Sequence, residues 1–281
     1  MSPKISVVMS CYNSDSTIAA SIESILNQTY SDFEFIIWND GSTDHSEEII
    51  KSYNDSRIRY FYHENTGLGM ALRLACEYAK GEYIARMDSD DISFEKRFEK
   101  EVSFLDSHPD AVLVSSGVRY INDDGDLLNT SFPYTDYRVI KRKLLMGVSL
   151  ISHPSSMFRR EAYIAAGGYH ALKKSQDCLL FARMMKYGKL VNLEEPLLYY
   201  RISENSISTQ TDGNAYTPVI TSLRCKMIHD ENVCDEDIEI YNHLVNLARR
   251  SNHNNISSTN AMRQRRHGYE KLYKSICPIF G

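Results

Sequence analysis

The chain has 281 residues, a formal net charge of −5, 42% hydrophobic residues and 25% charged ones. Such a length holds one large α/β domain or a domain with an appendage, and the acidic balance argues against a general nucleic-acid binder. Six cysteines (Cys11, Cys76, Cys178, Cys225, Cys234 and Cys277) are too scattered for a zinc site or a disulfide scaffold, and no run of about 18 apolar residues could span a bilayer.

The N-terminus opens on a strand pattern, not on a basic region followed by a long apolar run, so no signal peptide is expected and the expected location is cytoplasmic. Ile5 to Met9 reads as a buried parallel strand, ended by a polar turn from Cys11 to Ser16. Ile18, Ile22, Ile25 and Leu26 follow at helical spacing. Phe33 to Trp38 predicts a second strand, running into Asn39-Asp40-Gly41-Ser42-Thr43-Asp44. Asp44 and Glu47 have the spacing of a capping box for a helix over 47–53. A third strand over 57–63, a helix over 67–80 and a fourth strand over 83–87 complete a repeated βα pattern. That pattern predicts a mostly parallel sheet covered by helices, with ligands at the carboxyl ends of its strands.

Downstream, the pattern predicts a strand over 111–121, a hairpin turn at 122–126 and a helix over 137–145. Met157 to Arg160 leads into a helix that stops at Gly167-Gly168, followed by a helix over 179–187 and strands over 190–193 and 197–201. Beyond Ser208 come a polar linker, helices at about 216–230 and 236–250, a Ser/Asn-rich loop and a last basic helix. From Tyr241 onward Glu270 is the only acidic residue, against Arg249, Arg250, Arg263, Arg265, Arg266, Lys271 and Lys274. This basic tail is either a solvated helix or a segment drawn to anionic lipid at the inner face of a membrane.

The stretch from Gly81 to Ser93 drives an apolar strand into three carboxylates, Asp88, Asp90 and Asp91. Like charges gathered at a strand end repel and lose hydration, so a cation is expected to compensate them; oxygen-only ligands favour Mg²⁺ or Mn²⁺. The alternative is an acidic turn in which Asp91 or Ser93 caps the next helix.

Seven segments in order carry a resemblance: Ile5 to Asn13, Asn39 to Asp44, Glu64 to Gly67, Gly81 to Ile92, His153 to Arg159, Gly167 to Tyr169, and Gln176-Asp177. With these the sequence resembles the family 2 glycosyltransferases over about residues 4–208. The resemblance implies the α/β GT-A fold, a mostly parallel Rossmann-like sheet flanked by helices, over residues 1–208. Its nucleotide-sugar half is expected at about 1–95 and its acceptor half at about 96–208, with a helical, basic C-terminal extension over 209–281. The implied activity is inverting, metal-dependent transfer of a hexosyl or N-acetylhexosaminyl group from a nucleotide-diphosphate sugar, with UDP expected. The implied acceptor is a carbohydrate, such as a lipid-linked oligosaccharide in capsule, O-antigen or other surface-polysaccharide synthesis.

By the same resemblance Asp90 binds the metal with Asp91 as partner, and Asp88 orients the ribose. Asp40 accepts a hydrogen bond from uracil, with Ser10 and Tyr12 completing the base pocket; Asn65 and Arg86 join the donor side, and Arg201 lies in a loop closing over the diphosphate. His153 falls in the acceptor-side segment. Asp177 is the candidate base, because the acceptor hydroxyl must lose its proton as it attacks, and one base with in-line displacement gives inversion. Each residue also has a plainer reading: a turn for Asp40, a helix N-cap for Asp177, a charge partner for Arg86, a hydrogen-bonded structural residue for His153, a surface salt bridge for Arg201.

Two positions depart from the family pattern. Leu72 stands where many members have Arg, with Arg73 one place later, and Ser203 stands where many have a His that completes the metal shell. Donor phosphate contact is then expected from Arg86 or Arg73. Competing readings are an aspartate-dependent phosphohydrolase and a catalytically silent glycan- or nucleotide-binding module on the same fold.

Overall fold

The computed structural model describes residues 2–203, 227–229 and 238–246. Its first half is parallel: β1 (Ile5–Cys11), β2 (Phe33–Asp40), β3 (Ile58–His63) and β4 (Tyr83–Asp88), linked through α1 (Ile18–Leu26), α2 (Ser46–Ser52) and α3 (Leu68–Glu77). The second half holds β5 (Ile92–Ser93), α4 (Arg97–Ser107), β6 (Ala111–Ile121), β7 (Leu127–Ser131), α5 (Tyr137–Leu145), β8 (Met157–Arg159), α6 (Arg160–Ala165), α7 (Gln176–Met184) and β9 (Lys189–Arg201). Together they form one sheet in the order β3-β2-β1-β4-β8-β6-β9-β5, with β7 beside β6. Short β8 runs antiparallel to β4 and β6 and so joins the parallel half to the long parallel ladder of β6 and β9.

Every residue of β1 and β2 is buried, as expected of strands covered on both faces. One face, with Val7, Met9, Phe35 and Ile37, packs on Ile18, Ile22 and Ile25 of α1 and on Phe98, Val102 and Leu105 of α4. The other, with Val8, Ile36 and Ile84, packs on α3, α5, α6 and α7. Met227, Ile228, Tyr241, Leu244 and Val245 join this second core. Asn242 fastens them there: its Oδ1 accepts from Lys173 N–H and its Nδ2 donates to Ala171 O, both at 2.8 Å. Residues 227–229 and 238–246 are helical, inside the two helices expected there. The rest of those helices, the Ser/Asn-rich loop and the last basic helix lie outside the described residues. Among the described residues no helix is long and apolar enough to cross a membrane.

Several expectations are corrected. The Asp44/Glu47 capping box does not form: Asp44 accepts from Ser46 N–H and from Asp15 N–H, both at 3.0 Å, and so ties two loops together, while Glu47 pairs with Lys51. The two strands predicted after residue 190 are one, β9, whose register against β6 shifts around Gly117, opposite Pro196. The helix expected after the carboxylates, which had no bounds, is α4. Its inner face carries Arg97 and Glu101 beside Phe98, Val102 and Leu105, which breaks the apolar stripe that marks a helix.

Candidate active site

β1, β2 and β4 end side by side, with Ser10 opposite both Trp38 and Asp88. Ser10 is buried at this edge, and Tyr12, just past it, is 51% exposed, its ring open to stack on a flat ligand. Asn13, at a positive φ of 49°, acts as a turn former: its Oδ1 accepts from Thr43 N–H at 2.8 Å.

Asp40 is held by the loop that follows β3. It is 2% exposed; its Oδ1 accepts from Thr66 N–H and from the Thr66 hydroxyl, and its Oδ2 from Gly67 N–H, each at 2.9 Å. Asp40 therefore clamps the loop entering α3, and Asn65 Nδ2 reinforces the clamp by donating to Asp40 O at 3.0 Å. Gly41 makes this approach possible: its φ is +77°, and a Cβ there would lie 2.7 Å from Asn65 N. Gly41→Ala is accordingly expected to destabilise the fold by about 1–3 kcal/mol, read as a lower denaturant midpoint.

Asp88, Asp90 and Asp91 each bring an oxygen within 4.8 Å of the others. Asp91 is fully buried; its Oδ1 accepts from Arg201 N–H at 2.9 Å, and its Oδ2 is buried with no hydrogen-bond partner. Burial, then the charges of Asp88 and Asp90, push the Asp91 carboxyl well above the usual range; burial and then Asp88 push Asp90 up to about 6. A bare buried carboxylate oxygen beside two more carboxylates suits a hard divalent cation, so the residues fit the metal that the sequence implies. The capping alternative is overturned, because the α4 N-cap falls at Lys96 and Ser93 lies in β5.

Arg86 is 1% exposed and its Nη2 donates to Asp88 Oδ1, so it is a charge partner of the cluster. Arg73 donates to Tyr169 O at 3.1 Å, and Leu72 lies in the core. Arg201 is almost fully buried, and among the described residues it forms no surface salt bridge. Its Nε donates to Asp90 O at 2.9 Å and its Nη1 to Asn122 O and Asp123 O at 2.8 Å, locking the β6–β7 turn onto the carboxylate loop. Among the described residues the acidic cluster consists of Asp88, Asp90 and Asp91.

His153 Nε2 lies 2.7 Å from the Tyr169 hydroxyl, and its ring meets Tyr169 and Phe181 edge-on. Burial, with the Arg86 charge added, holds its pKa well below the usual imidazole range, so it is a neutral, hydrogen-bonded residue at pH 7. Asp177 sits in the first turn of α7, where the helix dipole favours a negative charge. It is not the N-cap: Ser175 holds that position, in the left-handed conformation. The Asp177 charge also acts on the buried Tyr169 phenol. Sequence reasoning missed two supports, Tyr169 and Arg97. The former lies in the Gly167-Gly168-Tyr169 segment, and the latter had only its i,i+4 spacing to Glu101 as a signal.

The sequence pattern described as "Glycosyl transferase family 2" matches residues 6–166. The chain is 36% identical over 218 residues to the O-antigen biosynthesis glycosyltransferase WbnJ of Escherichia coli, covering 75% of this chain and 84% of that one. It is 34% identical over 212 residues to the putative glycosyltransferase EpsE of Bacillus subtilis, covering 73% and 74%. Among solved structures, S. aureus TarS 1–349 in complex with UDP-GlcNAc superimposes with a TM-score of 0.64 at 18% identity, covering 92% of this chain and 74% of that one. The mannosyltransferase PcManGT from Pyrobaculum calidifontis, in complex with GDP-Man and Mn²⁺, gives 0.61 at 15% identity, covering 98% and 82%. The structural likenesses establish the GT-A fold and the sequence matches the lineage: this chain belongs to the family 2 glycosyltransferases.

Proposed function

We propose that the chain is an inverting transferase that moves a sugar from a nucleoside diphosphate, UDP, to a carbohydrate acceptor in surface-polysaccharide assembly, lipid-linked as it is built. The observation that carries the reading is the unpartnered Asp91 Oδ2 inside a three-carboxylate strand end. The O-antigen biosynthesis in WbnJ's name supports the acceptor class, the UDP-GlcNAc in TarS supports the nucleotide, and the Mn²⁺ in PcManGT supports the cofactor. Asp90 and Asp91 would hold Mn²⁺ or Mg²⁺, whose charge stabilises the departing diphosphate.

The other roles follow from position. Asp88, fixed by Arg86, orients the ribose; Tyr12 stacks on the base above Ser10, with Asp40 and Asn65 shaping the pocket wall. Arg201 keeps the carboxylate loop in register, and Asp177 takes the proton of the acceptor hydroxyl as it attacks. His153, neutral and held by Tyr169, supports the acceptor side. In this reading residues 1–208 are the catalytic unit and 209–281 its extension.

A thermal-shift panel of nucleoside diphosphates, each with and without Mn²⁺, tests the reading. UDP with Mn²⁺ is expected to raise the melting temperature, by the equivalent of about 2.7 kcal/mol at a hundredfold excess over Kd, and UDP alone much less. In Asp91→Asn the metal-dependent part should vanish. Equal response to every nucleotide, or to none, would sink the assignment.

A further inference from the structure

Outside the active site, the segment around α5 concentrates positive charge on a protein that is acidic overall. Between residues 134 and 150 lie Arg138, Lys141, Arg142 and Lys143, against the single carboxylate of Asp136. That carboxylate is engaged as the helix cap, accepting from Arg138 N–H at 2.8 Å. α5 buries Ile140 and Leu144 in the core and turns Arg138, Lys141 and Arg142 to solvent. Of the acidic groups on the elements packed beside it, Glu195 of β9 pairs with Lys100, and Asp177 lies in the first turn of α7; Asp110 pairs with Lys189, at the start of β9, at 2.7 Å. Glu194 is the remaining carboxylate of β9.

Large apolar side chains flank the cationic face and point outward. Phe132 is 73% exposed and Tyr134 62% before the helix; Met146 and Val148 are exposed after it. Both flanks belong to one surface, because buried Asn192 donates through Nδ2 to Tyr134 O at 2.9 Å and to Leu150 O at 3.0 Å. The chain thus leaves β9 and returns to it at a single point, with α5 between two apolar tips. Cations level with lipid headgroups, and aromatic tips reaching the acyl boundary, are the chemistry of a surface that rests on an anionic bilayer. A soluble polyanion would use the cations but gain nothing from Phe132 and Tyr134.

We propose that the α5 face, with Phe132, Tyr134, Met146 and Val148, is the surface by which this protein docks on an anionic lipid bilayer. It acts without the basic C-terminus and independently of which sugar is transferred. The full chain, pelleted with phosphatidylcholine vesicles with or without phosphatidylglycerol, is expected to bind only the anionic ones, more weakly as salt rises. Lys141→Glu with Arg142→Glu should lower vesicle partition at least about tenfold. Phe132→Ser with Tyr134→Ser should lower it at every salt concentration, while Arg265→Glu with Arg266→Glu in the tail should leave most of it. Melting temperature serves as the folding control, and if the charge reversal unfolds the protein, the exposed aromatic pair decides. The proposal is overturned if the wild type ignores anionic vesicles, or if the folded α5 variants bind as the wild type does. It is equally overturned if the aromatic pair proves irrelevant and polyglutamate competes fully, which would mark an acidic-polymer site.

Discussion

Asp177→Asn is expected to lower turnover by about 10²–10⁴-fold, the range for losing a positioned general base, while leaving the metal-dependent stabilisation by UDP intact. Asparagine keeps the shape of the side chain at the start of α7 and removes its ability to take a proton. The structural cost should be small, about 0.3–1 kcal/mol for a lost charge at a helix N-terminus. A catalytic role and a helix-stabilising role thus separate cleanly. The first predicts a collapse in kcat with donor binding unchanged. The second predicts a lower melting temperature with kcat nearly preserved, and that outcome would move the base elsewhere.

The second large effect is on stability. Arg97 and Glu101 are both fully buried, with Arg97 Nε at 3.1 Å and 3.2 Å from the two Glu101 oxygens and its Nη2 donating to Arg86 O at 2.8 Å. Removing one partner of a buried pair strands the other, so Arg97→Met is expected to destabilise by about 3–5 kcal/mol. Replacing both, as Arg97→Met with Glu101→Leu, should recover much of that. The loss should also depend on pH. Burial pushes the Glu101 carboxyl up to about 7 from an ordinary 4.5, against the pull of Arg97. Between those values the folded state holds a proton that the unfolded chain has released. Glu101's contribution to stability is therefore greatest below 4.5 and falls as pH rises through about 7. Glu101→Gln should flatten that fall, and Arg97→Met should cost more on the alkaline side. Urea midpoints at several pH values measure both; equal losses throughout would show that the carboxyl is charged across the range.

The parallel half of the fold was legible because its strands are buried on both faces and therefore write continuous apolar runs, Ile5 to Met9 and Phe33 to Trp38, bounded by turns. The carboxylates were legible for the opposite reason: nothing but a ligand excuses three of them at one strand end. What stayed hidden depends on long-range partners. Asp40 has the composition of a turn or a base contact, and only the return of Thr66 and Gly67 beside it makes it a loop clamp. Arg201 looked like a loop residue until its contacts with Asp90, Asn122 and Asp123 placed it inside the protein. α4 disguised its inner face by burying an ion pair.

The bond from Arg201 N–H to Asp91, across 110 positions of sequence, bears on how such enzymes can be recombined. A cut near residue 95 looks natural, since it parts the strands that would meet the nucleotide from those that would meet the acceptor. It would also detach the carboxylate loop from the residue that sets its shape, and β5 from its partner β9. Grafting a foreign second half onto this first half would therefore import a foreign setting for the three carboxylates. Chimeras divided after Arg201 keep the carboxylate loop and its holder in one inheritance.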